Sequence, residues 1–228
     1  MPFWRSFIRA LPVKKDVQIG FQNDRQVQTM QNNPKNVYFI ENTRKENEII
    51  AELEQLGQKY NIHEIIPLST GDICVAPWVR FKCKYGCNRY GKSWCCPPET
   101  PTPEKMQLVL KDYRKALLLC GTLRNGDFYK DNQKKRRVQV NTWKGTLALE
   151  RRLFLAGYYK AFGLVSENCA LCKTCTYPKE CKFPKDRRPS VESCSIDIFQ
   201  TLENINREFQ IAKNVNAEYN CYSIILLE

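Results

Sequence analysis

Histidine is almost absent from this 228-residue chain, in which His63 is the single copy. Its place in an apolar strand-like run indicates a structural role. Because the chain has a single histidine, mixed Cys/His zinc sites and most imidazole-based catalysis are excluded. No run approaches the ~18 to 20 apolar residues that a membrane helix requires. Arg5 and Arg9 break any signal-peptide core at the N-terminus. The sequence also contains no internal repeat.

Cysteine is abundant, with twelve residues, nine of which fall in two dense groups at 83–96 and 169–194. Cys120 and Cys221 stand apart in apolar runs and are expected in the core. A disulfide framework belongs to small secreted domains, and a chain without a signal peptide does not fit that class. Clusters of free thiols predict a metal-binding protein of a reducing compartment, the cytoplasm.

The downstream group opens with Cys169, Cys172 and Cys175, the C-x2-C-x2-C spacing by which short loops wrap an iron–sulfur cube. Three thiolates then come from seven residues with little loss of chain entropy. The fourth ligand must come from further along the chain. Cys181 can return after the turn-prone Tyr177-Pro178 step, and Cys194 is the second candidate.

The upstream group contains Cys83, Cys87, Cys95 and Cys96, with Pro97 and Pro98 after it. Glycine, proline and lysine between these cysteines are not typical of a buried core, so the group predicts a second metal-binding loop. Cys74 precedes the group by nine residues and is its reserve ligand.

Alternating helix and strand patterns favour an α/β or α+β fold, with a mixed sheet, flanking helices and the cysteine loops at one edge. Residues 1–35 are expected to be an extension or linker before a domain at 36–228. Residues 36–40 fit either a strand or a lead-in to the first helix. The expected helices begin at a Thr43/Glu46 capping box, at Thr102, near Val140 and at Ser190, the last carrying Cys194 inward. The expected strands are 62–67, 116–120 and 221–227.

The formal net charge is +12, and residues 122–160 carry ten lysines and arginines against three acids. Such a run can bind phosphate backbones or an acidic partner protein, but charge runs are more often a solvated surface. Cations also offset the negative charge of a thiolate-bound metal or cluster.

Several motifs in fixed order resemble the uncharacterised "predicted metal-binding protein" family of archaea and anaerobic bacteria. They are Arg80-x2-Cys83, Cys87, Tyr90-Gly91-Lys92-Ser93, Cys96-Pro97-Pro98, 101–104, 158–163, Cys169-x2-Cys172-x2-Cys175 and 188–197. The resemblance runs from about residue 46 to the C-terminus and implies metal or cluster binding without an established reaction.

The family pattern has one cysteine before the two prolines, whereas this chain has Cys95 and Cys96. Matching by motif places Cys96 at the ligand position beside Cys83 and Cys87, and leaves Cys95 as an extra or alternate ligand. Because adjacent residues of an extended chain project to opposite sides, Cys95 is expected to turn away from that centre.

The spacing favours an iron–sulfur cluster of the 4Fe-4S type over zinc, since neither group has two C-x2-C knuckles separated by a longer loop. The first hypothesis is an electron-transfer protein with one or two clusters and an acidic redox partner. The second is an enzyme with an open iron site. The third is a structural zinc protein that binds nucleic acid, which the lack of finger spacing disfavours.

Overall fold

The computed structural model describes residues 34–124, 132–209, 211, 213–214 and 217–228. Residues 46–228 form one compact unit, and residues 1–45 are a separate one. Apart from its last two residues, the expected extension at 1–35 lies outside the described residues, as does the part of the basic run at 125–131. The boundary at residue 35 therefore stays a prediction.

Four strands form the described sheet, in the order β1-β2-β4-β3. The expected fold class is confirmed, but the sheet is antiparallel at each of its three pairings rather than mixed. The outer strand β1 contains Pro67, paired in register with Leu117. The strands are β1 at Ile62–Ser69, β2 at Lys115–Arg124, β3 at Phe162–Leu164 and β4 at Glu218–Leu227.

Successive side chains of β2 and β4 point to opposite faces of the sheet, and both faces are buried. Leu118 and Ile224 belong to one hydrophobic cluster, whereas Leu119 and Ile225 belong to the other. Cys120 and Cys221 are buried, as expected from their apolar runs. This double burial explains why both central strands are almost continuously apolar.

Helices cover both faces of the sheet. On one face, α1 packs with Leu53 and α4 with Leu149; on the other, α3 packs with Met106 and α5 with Leu202. The helices are α1 at Pro34–Gln58, α2 at Pro77–Gly86, α3 at Pro103–Lys111, α4 at Asn132–Leu155 and α5 at Ile198–Asn204. None of these described helices is both long and apolar enough to cross a membrane.

Helix starts are where the sequence expectations fail most. Thr102 caps α3 as predicted, its side chain accepting from Lys105 N at 3.4 Å. By contrast, α1 and α4 begin nine and eight residues before the expected positions, at Pro34 and Asn132. Residues 36–40 are therefore part of α1, so of the two alternatives the strand is wrong.

The helix expected from Ser190 is interrupted. A short 3-10 turn covers Glu192–Cys194, and Ser195 then adopts the left-handed conformation with φ 66°. Asp197 starts α5 instead, accepting at Oδ1 from Phe199 N at 3.1 Å. A left-handed residue cannot continue a helix, which explains the late start.

Candidate metal centre

Most cysteines of the two groups lie in two loops; Cys83 lies in α2, and Cys194 lies in the 3-10 turn at Glu192–Cys194. The upstream loop, residues 87–102, connects α2 to α3, and the downstream loop, residues 165–191, follows β3. The ends of the downstream loop meet, since Val165 N donates to Pro189 O at 3.0 Å and Val191 N donates to Val165 O at 2.9 Å. The downstream loop is therefore closed at its base, with its cysteines in between.

The two loops are joined by one aromatic contact and several hydrogen bonds. Trp94 Nε1 donates to Lys179 O at 2.9 Å, and its ring meets Tyr177 edge-on at 5.0 Å between centroids. Tyr177 Oη in turn donates to Glu99 Oε1 at 3.0 Å. Arg187 lies over the Trp94 ring at 5.3 Å. Trp94 and Tyr177 thus connect the two cysteine groups.

Side chains of helix α4 hold the downstream loop through hydrogen bonds to its carbonyl groups. Arg136 donates through Nε to Ala170 O at 3.1 Å and through Nη2 to Leu171 O at 3.0 Å. Trp143, 2% exposed, donates from Nε1 to Asp186 O at 2.7 Å. Both side chains satisfy carbonyl groups of a segment that has few backbone hydrogen bonds of its own.

A charged contact fixes the end of the same loop. Arg188 donates to both carboxylate oxygens of Glu150, at 2.8 Å to Oε2 and 2.5 Å to Oε1. Glu150 Oε2 also accepts from Gly163 N at 2.7 Å. The two side chains are 15% and 13% exposed. This bidentate pair ties the loop to α4 and β3 with fixed geometry.

Cys172 has the other three thiols of the downstream loop as neighbours. Burial raises the pKa of Cys172, and the nearby thiols of Cys169, Cys175 and Cys181 raise it further. Phe183 N donates to Cys181 Sγ at 3.4 Å. Backbone hydrogen bonds of this kind stabilise a sulfur that carries negative charge.

Cys95 from the upstream loop joins this downstream set. Its thiol is 3% exposed, and it packs in one apolar cluster with Trp143, Val165 and Cys169. A hydrogen bond with Cys169 raises the pKa of Cys95 and lowers that of Cys169 to about 7. The thiols of Cys95 and Cys169 are thus direct neighbours across the two loops.

The remaining upstream thiols, those of Cys83, Cys87 and Cys96, also lie near one another. Burial raises the pKa of Cys83 to about 11, and its neighbours Cys87 and Cys96 contribute to the rise. Cys95 and Cys96 lie in a turn, closed by Cys96 N donating to Ser93 O at 3.2 Å, rather than in extended chain. Both have Cys169 among their neighbours. Sequence reasoning missed the contact of Cys95 with Cys169. Only the doubled cysteine signalled it.

The two reserve cysteines lie with other elements. Cys74 N donates to Thr201 Oγ1 at 3.0 Å. Burial raises the pKa of the Cys74 thiol, and the negative charge of Asp197 raises it further. Between Cys74 and Cys83 the chain enters α2 at Pro77. Cys194 is 1% exposed in the hydrophobic cluster that contains α3 and α5.

Within the described ranges, no three Cys, His, Asp or Glu side chains are placed to hold a single metal ion. Four thiolates on one zinc ion lie about 3.8 Å apart, as Zn–S bonds of ~2.3 Å in a tetrahedron require. The thiolates of an iron–sulfur cube bind different irons and lie further apart. A zinc ion and a cluster therefore require different separations between the thiolates.

Comparison with known proteins gives one result. A family model described as "Predicted metal-binding protein (DUF2284)" matches residues 66–227. This range contains both cysteine loops and every described strand except the first residues of β1. No curated protein and no solved structure shows a significant match to the chain.

Proposed function

The chain belongs to this family of predicted metal-binding proteins, and we propose that it carries a 4Fe-4S cluster on the downstream loop and acts in electron transfer. The observation that carries the proposal is the placement of Cys169, Cys175 and Cys181 near Cys172, in a loop whose first three cysteines have cube spacing. When bound, such a cluster accepts and releases single electrons.

The surroundings of these four thiols suit a cluster. Negative charge on the sulfurs is offset by the Phe183 N–H at Cys181, by the Leu171 N–H and Arg89 at Cys169, and by Lys182 at Cys172. Hydrogen bonds and nearby cations of this kind set the potential of an iron–sulfur centre. The buried Cys95 thiol adds a further donor to Cys169.

A second centre is proposed on Cys83, Cys87 and Cys96, which neighbour one another on the upstream side. Three thiols alone leave one ligand position of a cube open, and Cys74 has Asp197 and Thr201 as its neighbours. This favours, as a second candidate function, an enzyme whose open iron binds a substrate as a Lewis acid or electron donor.

The zinc and nucleic-acid hypothesis has less support. Within the part of the chain that the structure describes, no three Cys, His, Asp or Glu side chains have the arrangement that a single ion requires. The peak of the basic run begins with Lys134 and Lys135, whose side chains are outside the described set. A reducing compartment, the cytoplasm, suits an assembly of free thiols and oxygen-sensitive clusters.

The test is anaerobic purification followed by iron, zinc and acid-labile sulfide analysis, with electron paramagnetic resonance of the dithionite-reduced protein. We expect about four irons and four sulfides for each complete cube. A reduced-cluster signal that follows the sulfide content would support electron transfer. Stoichiometric zinc without sulfide would reject the cluster and leave the third hypothesis.

A further inference from the structure

Helix α2 presents an aromatic stripe to solvent. Trp78, Phe81 and Tyr85 are 40%, 64% and 68% exposed, and their spacing of three and four residues places them on one side of the helix. The rings of Phe81 and Tyr85 contact each other at 4.7 Å between centroids. Val79 is the buried residue of this helix. A short helix that exposes three large aromatic rings carries more apolar surface than folding requires.

The same face is cationic. Lys82 Nζ lies 4.8 Å from the centre of the Trp78 ring, and Lys84 Nζ lies 5.4 Å from that of Tyr85. Residues 77–93 contain five lysines and arginines and no aspartate or glutamate. The face therefore combines an apolar centre with positive charges. Such a combination attracts an acidic surface.

This face adjoins the upstream thiols. Cys83 belongs to α2, and Cys87 is the residue that ends it. A partner seated on the aromatic stripe would lie within a helix turn or two of these sulfurs, where electrons can pass over a short distance.

We propose that the outward face of α2, formed by Trp78, Phe81, Lys82, Lys84 and Tyr85, is the docking surface for a small acidic redox protein. The partner's redox role rests on the proposed function, whereas the docking itself rests on this face.

Single-stranded nucleic acid fits this face less well. Proteins that bind it offer open ring faces on which bases stack. Here Lys82 covers one face of Trp78 and Lys84 one face of Tyr85. Phe81 and Tyr85 contact each other, with 50° between their planes, and leave no gap for a base.

The experiment measures binding of the full chain to an acidic two-cluster ferredoxin by calorimetry, at low and at moderate salt. We expect binding that weakens ~10-fold or more with added salt. The double variant Lys82→Glu/Lys84→Glu should lose at least ~10-fold in affinity, and Phe81→Ser/Tyr85→Ser should lose a similar factor. The matched control is Lys144→Glu/Arg151→Glu, which places the same charge change on exposed positions of α4 and should change affinity less than ~3-fold.

Equal losses in the α2 and α4 charge variants, or no salt-dependent binding at all, would overturn the proposal. The proposal would also be overturned if binding of a thymidine oligonucleotide depended on the α2 residues and binding of ferredoxin did not. Circular dichroism of each variant verifies folding. Metal and sulfide contents of the same samples separate the two proposals. If the protein contains zinc and still binds ferredoxin through α2, the cluster proposal is rejected and the docking surface is retained.

Discussion

The two cysteine loops differ in what holds them in place. The upstream thiols begin on a helix, since Cys83 lies in α2, and continue into short hydrogen-bonded turns. The downstream loop has no helix or strand between residues 166 and 189. Its carbonyl groups are satisfied instead by side chains of α4, such as Arg136 and Trp143. The position of a cysteine can thus be fixed by the local backbone or by side chains from distant elements. A loop held in the second way is easier to disrupt.

Loss of a downstream ligand is expected to have the largest effect. Cys172→Ser should remove the iron and sulfide of one whole cluster, and the loop should become a site of protease cleavage because its bound group no longer orders it. Cys83→Ser should also lower the iron content but leave the downstream loop resistant to protease. Iron analysis and limited proteolysis measure the two effects. Equal protease sensitivity of both variants would contradict the contrast between the loops.

Removal of the Glu150 carboxylate comes next. Glu150→Ala leaves the guanidinium of Arg188 largely buried without its partner and removes the acceptor of Gly163 N. We expect a loss of about 3–5 kcal/mol in the free energy of unfolding. Urea denaturation measures it, with the exposed Glu180→Ala of the same loop as a control that stays within about 0.5 kcal/mol. A small loss at Glu150 would mean that the ion pair does not hold the loop.

Trp143→Phe tests one anchoring hydrogen bond. The ring remains apolar and large, but Asp186 O loses its donor and part of the space is left unfilled. A loss of about 1–3 kcal/mol is expected, measured by the same denaturation. Trp94→Phe, which loses a more exposed bond to Lys179 O, should cost less. If Trp94 proves the more costly, contact between the loops matters more than support from α4.

Cys95→Ser is the smallest and most selective change. It keeps a hydrogen-bond donor beside Cys169, so iron content should remain near that of the unchanged chain while the resonance signal of the downstream cluster shifts slightly. Cys96→Ser should instead lower the iron of the upstream centre. Loss of iron in Cys95→Ser with none in Cys96→Ser would reverse the roles of the two adjacent cysteines.

The sequence predicts three of the four described strands and the helix α3, because long apolar runs such as 116–120 and the Thr102 cap are local signals. It misses the three-residue β3, and the sheet is antiparallel rather than mixed. It fails where one residue changes the backbone, as Ser195 does before α5. The neighbours of Cys172 follow from local spacing. The contact of Cys95 with Cys169 joins residues 74 positions apart, and it arises because Trp94 and Tyr177 bring two loops together, which no local pattern encodes.

Pro67 lies in β1, the outer strand of the described sheet. A proline has no backbone N–H, so the exposed rim of this strand cannot offer a full row of donors to a strand from another molecule. The opposite rim, β3, has just three residues. Both rims are thus poor templates for intermolecular β-pairing, which protects a chain with an almost continuously apolar sheet from growing into aggregates at high concentration.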